Sequence, residues 1–140
     1  MRMRKIVAII LVVFLSGCAT PYQPAGFAGG FAEVQLDNDV WRVSFKGNGY
    51  TDLDRVEELV MLRSAEIALA NGFTHFAFSS AKTDKNIGTI NREIITEPSA
   101  NSIVVMFNDR PKVNAMVYEA KFICESVGKK YKVTCNSPKK

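Results

Sequence analysis

The run Val40-Trp-Arg-Val-Ser-Phe-Lys46, continued by Gly47-Asn-Gly-Tyr-Thr51 and Asp52-Leu-Asp-Arg-Val-Glu-Glu-Leu-Val60, decides the fold class. Trp41, Val43 and Phe45 alternate with Arg42, Ser44 and Lys46, the period of a strand buried on one face only. Gly47 to Tyr50 is a turn, and from Thr51 the period becomes helical. Leu53, Val56, Leu59, Val60, Arg63 and Ile67 recur at i, i+3, i+4 spacing, and Leu62, Ala65 and Leu69 widen the stripe. Asp52 and Asp54 fall in the first turn, where the helix dipole favours negative charge, with Asp54 at the capping-box position. Gly72, just after Asn71, is a natural stop.

Downstream, 73–80 reads as a second strand with Phe76 and Phe78 inward, and 81–89 as a polar loop. Strands at 90–97 and 102–108 follow, with Pro98-Ser-Ala-Asn101 as their hairpin turn. Ile103-Val-Val-Met-Phe107 has no polar alternation and is expected in the centre of the sheet. A second helix is expected after Asp109, with Pro111 in its first turn, a stripe of Val113, Met116, Val117, Ala120, Ile123, Cys124 and Val127, and Gly128 at its end. The order β-α-β-β-β-α predicts an α+β two-layer sandwich: a four-stranded, mainly antiparallel sheet with two helices on one face. At 140 residues the chain has room for one such domain, placed at 36–135.

The N-terminus reads as an address. Met1-Arg-Met-Arg-Lys5 is positive, and Ile6 to Leu15 is unbroken apolar sequence. As a helix that stretch spans about 15 Å, half of the roughly 30 Å hydrocarbon core, so 1–17 is expected to be a signal peptide rather than a transmembrane span. Leu15-Ser16-Gly17-Cys18 resembles the bacterial lipobox, with cleavage between Gly17 and Cys18 and lipidation of Cys18. Small side chains give a peptidase access to the backbone, and the thiol is the one group there that can carry a thioether-linked glyceride. The alternative is a simple signal peptide with a chance cysteine. Ala19, where an aspartate would retain a sorted lipoprotein, favours the outer membrane by the same resemblance. Residues 18–35 then form the lipidated N-terminus and a tether rich in Pro21, Pro24, Gly26, Gly29 and Gly30. Its Tyr22, Phe27 and Phe31 are expected to dock on the domain or to sit near the membrane surface.

Charge narrows the partners. Of 18 basic residues, Arg2, Arg4 and Lys5 lie ahead of the apolar run, and removing 1–17 leaves 15 basic against 14 acidic. That balance gives no electrostatic case for nucleic acid. Membrane contact through the lipid anchor is expected, with an envelope protein, lipid or peptidoglycan as the candidate partner.

Cys18-Ala-Thr-Pro-Tyr22, Gly26-Phe-Ala-Gly-Gly-Phe31, the Gly47-Asn-Gly-Tyr-Thr51 turn, Leu62-Arg-Ser-Ala-Glu66 and Gly72-Phe73 together resemble a family of small Gram-negative envelope lipoproteins. The resemblance spans nearly the whole chain after Cys18 and implies an envelope location. It supplies no substrate, catalytic residue or partner. Cys124, Cys135 and the lysine-rich end, with its basic tail at 136–140, fall outside the shared pattern.

Candidate chemistry is sparse. In an exported chain Cys124 and Cys135 are expected to pair as a disulfide, against the alternative of a buried free Cys124 and a loose Cys135. Two thiols and a distant His75 do not make a metal set, and no cofactor motif is present. Asn48, Gly49 and Tyr50 form a candidate recognition turn; the plainer reading is a tight glycine turn leading into a helix cap. No lysine follows it as in a P-loop. Glu66, beside the apolar stripe, is either a carboxylate with acid–base capacity or the partner of Arg63 or Arg42. His75, with Ser79 or Ser80 and Asp84, could be drawn as a triad, but no nucleophile elbow accompanies them. Lys129, Lys130, Lys132, Lys139 and Lys140 could meet lipid phosphates or wall polymers, or simply be solvated. The expectation is a non-enzymatic, outer-membrane-anchored periplasmic interaction module; the alternative is a small envelope or cell-wall hydrolase using Glu66 or His75.

Overall fold

The structure is a computed structural model that describes residues 19–90 and 93–135, with 86, 88–90 and 93–96 described by backbone alone. The expected signal peptide, the Gly17/Cys18 cleavage and lipidation site and the 136–140 tail lie outside the described residues. The elements are β1 (Gly30–Asp37), β2 (Val40–Lys46), α1 (Leu53–Ala70), β3 (His75–Ile90), β4 (Glu93–Phe107), β5 (Val117–Glu119) and α2 (Ala120–Tyr131). The strands form one antiparallel sheet in the order β1-β2-β4-β3-β5. The α+β class with an antiparallel sheet and two helices is as expected, and β4 is central; the sheet has five strands rather than four.

The strand β2 and the helix α1 behave as their patterns dictate. Trp41, Val43 and Phe45 are buried against Val56, Leu59, Val60, Ala65 and Ala68 of α1. The cap is one residue later than expected: Asp52, not Thr51, is the N-cap, and its carboxylate accepts Arg55 N–H at 2.8 Å. At the other end Gly72, at φ 81°, leaves the helix in the left-handed region as expected of a stop.

Four local expectations are corrected, each for a packing reason. First, the tether does not extend to residue 35. From Gly30 onward the chain is β1, an edge strand paired with β2 from Gly30↔Lys46 to Gln35↔Trp41 and joined to it by the Asn38-Asp39 turn. Its helix-side position Glu33 meets a charged flank of α1, so it lacks the apolar alternation that marks a strand.

Second, 81–89 is not a loop and 98–101 is not a turn. β3 and β4 form one long hairpin whose ladder runs on to Ile90↔Glu93. The polar stretch Lys82 to Asn86 lies where β2 ends, at Lys46↔Ser99 opposite Asp84, and beyond it the hairpin is a bare two-stranded ribbon. Pro98 fits there: its carbonyl accepts Gly47 N–H at 2.8 Å, and its nitrogen faces the same side, where the β2 ladder has ended.

Third, the second helix starts at Ala120 rather than after Asp109. Val117 to Glu119 instead pair with Ala77 to His75 at the open edge of β3, and the Tyr118 ring stacks 5.4 Å from Phe76. Val113 and Met116 are consequently exposed. Fourth, Gly128 lies inside α2. A Cβ there would come within 2.7 Å of the Val133 carbonyl, because the chain turns back over the helix after Lys132, at φ 57°.

Cys124 of α2 and Cys135 of the returning segment are bonded to each other, with Cα atoms 5.8 Å apart. The bond fixes the end of the described chain against the helix. Closing a loop across 11 positions contributes about 3 kcal/mol in the chain-entropy model. Replacing both cysteines with serine is therefore expected to lower unfolding stability by about that amount. Denaturant titration measures the loss, and neither thiol of unreduced wild type should react with an alkylating reagent.

Candidate functional site

The segment that precedes β1 folds onto the start of α1 as a strap, and one threonine fixes it. Thr20 is fully buried. Its N–H donates to Thr51 Oγ1 at 2.9 Å, its hydroxyl donates to the Ala28 carbonyl at 3.2 Å and accepts Asn48 N–H at 2.7 Å, and its carbonyl accepts Arg55 Nη2 at 3.2 Å. Thr51 is buried as well and donates to Asn48 Oδ1 at 3.0 Å, which also accepts Tyr50 N–H. The Gly47–Thr51 turn is thus the seat of the chain's own N-terminal segment. Gly47 is required by close approach, since a Cβ would lie 2.7 Å from that of Thr51. Of the candidate recognition residues, Asn48 organises this clamp, whereas Gly49 and Tyr50 face solvent.

One helical turn and more along α1, a second cluster holds the strap. Arg63 grips Glu33 of β1 through Nη2 (2.5 Å) and Nε (3.2 Å), and reaches Glu66 Oε2 through Nη1 at 3.0 Å. The same guanidinium lies 4.2 Å over the Phe31 ring, and Tyr22 packs on Phe31 at 4.8 Å while donating its hydroxyl to Glu66. Burial, and then the Glu66 hydrogen bond and charge, push the Tyr22 phenol above its ordinary range, so it stays a donor. Burial works against the Arg63 charge, but the hydrogen bonds to Glu33 and Glu66 outweigh it and hold the guanidinium protonated. Beside this cluster is a cleft of about 320 Å³, lined chiefly by Glu33, Trp41, Arg63, Glu66, Ile67 and Ala70.

Glu66 therefore pairs with Arg63, not Arg42. His75 is not brought near it: it alternates with inward Phe76 and so lies on the sheet face away from α1, its Nδ1 2.8 Å from Thr74 Oγ1. His75 and Asp84 occupy the same strand about 30 Å apart at ~3.3 Å per residue, so the imagined triad does not assemble. Phe27, the third aromatic of the strap, is exposed, while Tyr22 and Phe31 pack against the core. Thr20, Glu33 and Arg55 carried no signal in the sequence, because each acquires its partners only across long sequence separations.

At the far flank of α1, Lys130 Nζ grips Glu58 at 2.6 and 2.8 Å and the Tyr131 hydroxyl donates to the same carboxylate. Lys130 of the expected basic stretch is thus tied into the fold. Burial raises the Glu58 carboxyl, but the Lys130 and Tyr131 hydrogen bonds and the Lys130 charge outweigh it and hold the group below its ordinary 4.5. Among the described residues no group of three or more His, Cys, Asp or Glu side chains could hold a metal ion, and no helix is long and apolar enough to cross a membrane. A scan of family models, a search of curated proteins and a search of solved structures each find no match for this chain.

Two outcomes follow from these contacts. Arg63→Ala should cost about 1–2 kcal/mol and Tyr22→Phe about 1 kcal/mol, and both should speed proteolytic cleavage within 19–30, scored by mass of the fragments. Glu58 has a folded-state value below its unfolded one, so its contribution is complete above about pH 4.5 and is lost as pH falls through the folded value. Glu58→Gln should flatten the acid limb of the stability–pH curve and also alter its alkaline limb, because the Glu58 hydrogen bond holds Lys130, and burial together with Glu58 holds Tyr131, above their ordinary values.

Proposed function

We propose that this chain is a lipoprotein of the Gram-negative envelope, anchored in the outer membrane through Cys18, whose α+β domain faces the periplasm and acts as a non-enzymatic interaction module. The observation that carries the reading is the position of Cys18. It closes the Leu15-Ser-Gly-Cys sequence and stands two residues before a threonine held by four hydrogen bonds. A lipid at that thiol is coupled to a fixed domain, as suits an anchor that must also set orientation. Acyl chains on one residue satisfy the requirement for more than one membrane signal.

The charged cleft supports binding or architecture rather than turnover. Arg63 is shared between two carboxylates, and Glu66 is already engaged by both Arg63 and Tyr22. An acid–base role needs a group whose proton is free to move to a substrate. The bonded Cys124–Cys135 pair is in keeping with an oxidising compartment.

Metabolic labelling with a palmitate analogue tests the anchor. Wild type should be labelled and fractionate with outer membranes, and Cys18→Ser should be unlabelled. Equal labelling of the two overturns the reading.

A further inference from the structure

Three exposed apolar side chains lie toward the end of the sandwich at which the described chain begins. The strap makes a tight turn in which Gly26 and Gly29 exchange N–H···O bonds of 3.1 Å, and Phe27 projects from its tip with no cover at all. Gly29 and Gly30 make the turn possible. Both have positive φ, and a Cβ on Gly29 would lie 2.2 Å from the Lys46 carbonyl. Tyr50, 74 % exposed, stands next to Thr51, which accepts the Thr20 N–H. The third is Ile87, also 74 % exposed, on the β3–β4 ribbon.

That ribbon leaves the body at the same end. β2 stops at Lys46, opposite Ser99, while β3 and β4 stay paired from Lys85↔Pro98 out to Ile90↔Glu93. At about 3.3 Å per residue the arm reaches about 20 Å past the end of β2. A two-stranded ribbon without a third strand is marginal in water, so an arm of this length with an exposed isoleucine is suited to contact something.

The chain itself says what lies on that side. Thr20 is clamped at the Gly47–Thr51 turn, and the chain between it and Cys18 spans two residues, at most about 7 Å when fully extended. Another exposed apolar residue, Met116, precedes the Val117↔Ala77 pair on the outer edge of β3, some seven positions along that strand from the point where β2 ends.

We propose that the end of the sandwich carrying Phe27, Tyr50 and the β3–β4 arm is a membrane-docking face that rests on the lipid surface in which Cys18 is anchored. This rests on the reading of Cys18 as the lipidated residue. Phe27 and Tyr50 enter the interfacial layer where aromatic rings are favoured, and the arm makes a third point of contact through Ile87. Three points around an anchor fix a tilt as well as a distance, so the domain presents a constant face to the periplasm. The contact is apolar rather than ionic. Asp52 and Asp54 are exposed at this end, and Lys46 and Lys82 are each paired with a carboxylate, Glu97 and Asp84, at 3.2 Å, so among the described residues the basic side chains here are offset by acidic ones.

Full-length protein purified from bacterial membranes is reconstituted in phosphatidylethanolamine–phosphatidylglycerol vesicles containing dibrominated phosphatidylcholine. Tryptophan is placed at one site in each variant: Phe27→Trp, Tyr50→Trp, Ile87→Trp and, away from that end on the outer edge of β3, Met116→Trp. Wild type, whose Trp41 is buried, provides the background. The first three should be quenched at least about twofold more than Met116→Trp, with little change on adding salt. Equal quenching at all four in protein whose acyl mass is confirmed overturns the docking face and leaves the anchor standing. Absence of acyl mass overturns the anchor itself. Quenching at positions 27 and 50 but not 87 overturns the arm's part in the contact.

Discussion

The packing of α1 across the sheet is the contact on which the other parts depend. One stripe of this helix, with Val56, Leu59, Val60, Ala65 and Ala68, seals Trp41, Val43, Phe45, Phe76, Val104 and Met106 from water. Burial of this kind is the main favourable term in folding, at about 25 cal/mol per Å² of apolar surface. The two flanks of the same helix then receive everything else. On one side Glu58 and Leu62 hold α2 and the returning segment; on the other Arg63 and Glu66 hold β1 and the strap. Arg55, at the helix start, touches both, bonding the Thr20 carbonyl while lying 4.8 Å over the Tyr131 ring.

This arrangement explains why the polar residues of α1 form networks instead of a solvated face. A helix with neighbours on both flanks must satisfy its charges against them, and partly buried ions are tolerated only when paired. Arg63 meets two carboxylates and an aromatic face, and Glu66 meets a guanidinium and a phenol. These charges are engaged in attaching β1 and the strap to α1. The proposed anchor and the docking face share this logic: a strap fixed along α1 turns a tether into a bracket.

Legibility in the sequence followed how local each cause was. β2, α1, its stop at Gly72 and the central place of β4 rest on periodicity and on glycine chemistry within a few residues, and these emerged as read. The pairing of Cys124 with Cys135 followed from the cysteine count and the expectation of an exported chain. β1 was hidden because its helix-side Glu33 answers a charge rather than an apolar surface. The continuous hairpin was hidden because its polar stretch Lys82 to Asn86 and Pro98 resemble a loop and a turn when the end of β2 is unknown. The start of α2 was misplaced because Val117 and Tyr118 suit a helix stripe and a strand equally, and only the open edge of β3 chose between them.

The candidate site shows the same division. Sequence alone marked Glu66 and Arg63 as partners, since three residues on a helix bring them together, and it marked the Gly47–Thr51 turn as a special piece of backbone. It could not show that Asn48 and Thr51 would grip Thr20, or that Tyr22 and Glu33 would complete the Arg63 cluster. Those contacts join residues about 30 positions or more apart, and no local period encodes them. What the sequence determined by itself was the strand-turn-helix nucleus and the character of each surface. Only tertiary structure decided that the Gly/Pro-rich entry is a strap, because whether a segment of irregular backbone is free or fixed depends on the partners that its hydrogen-bonding groups find.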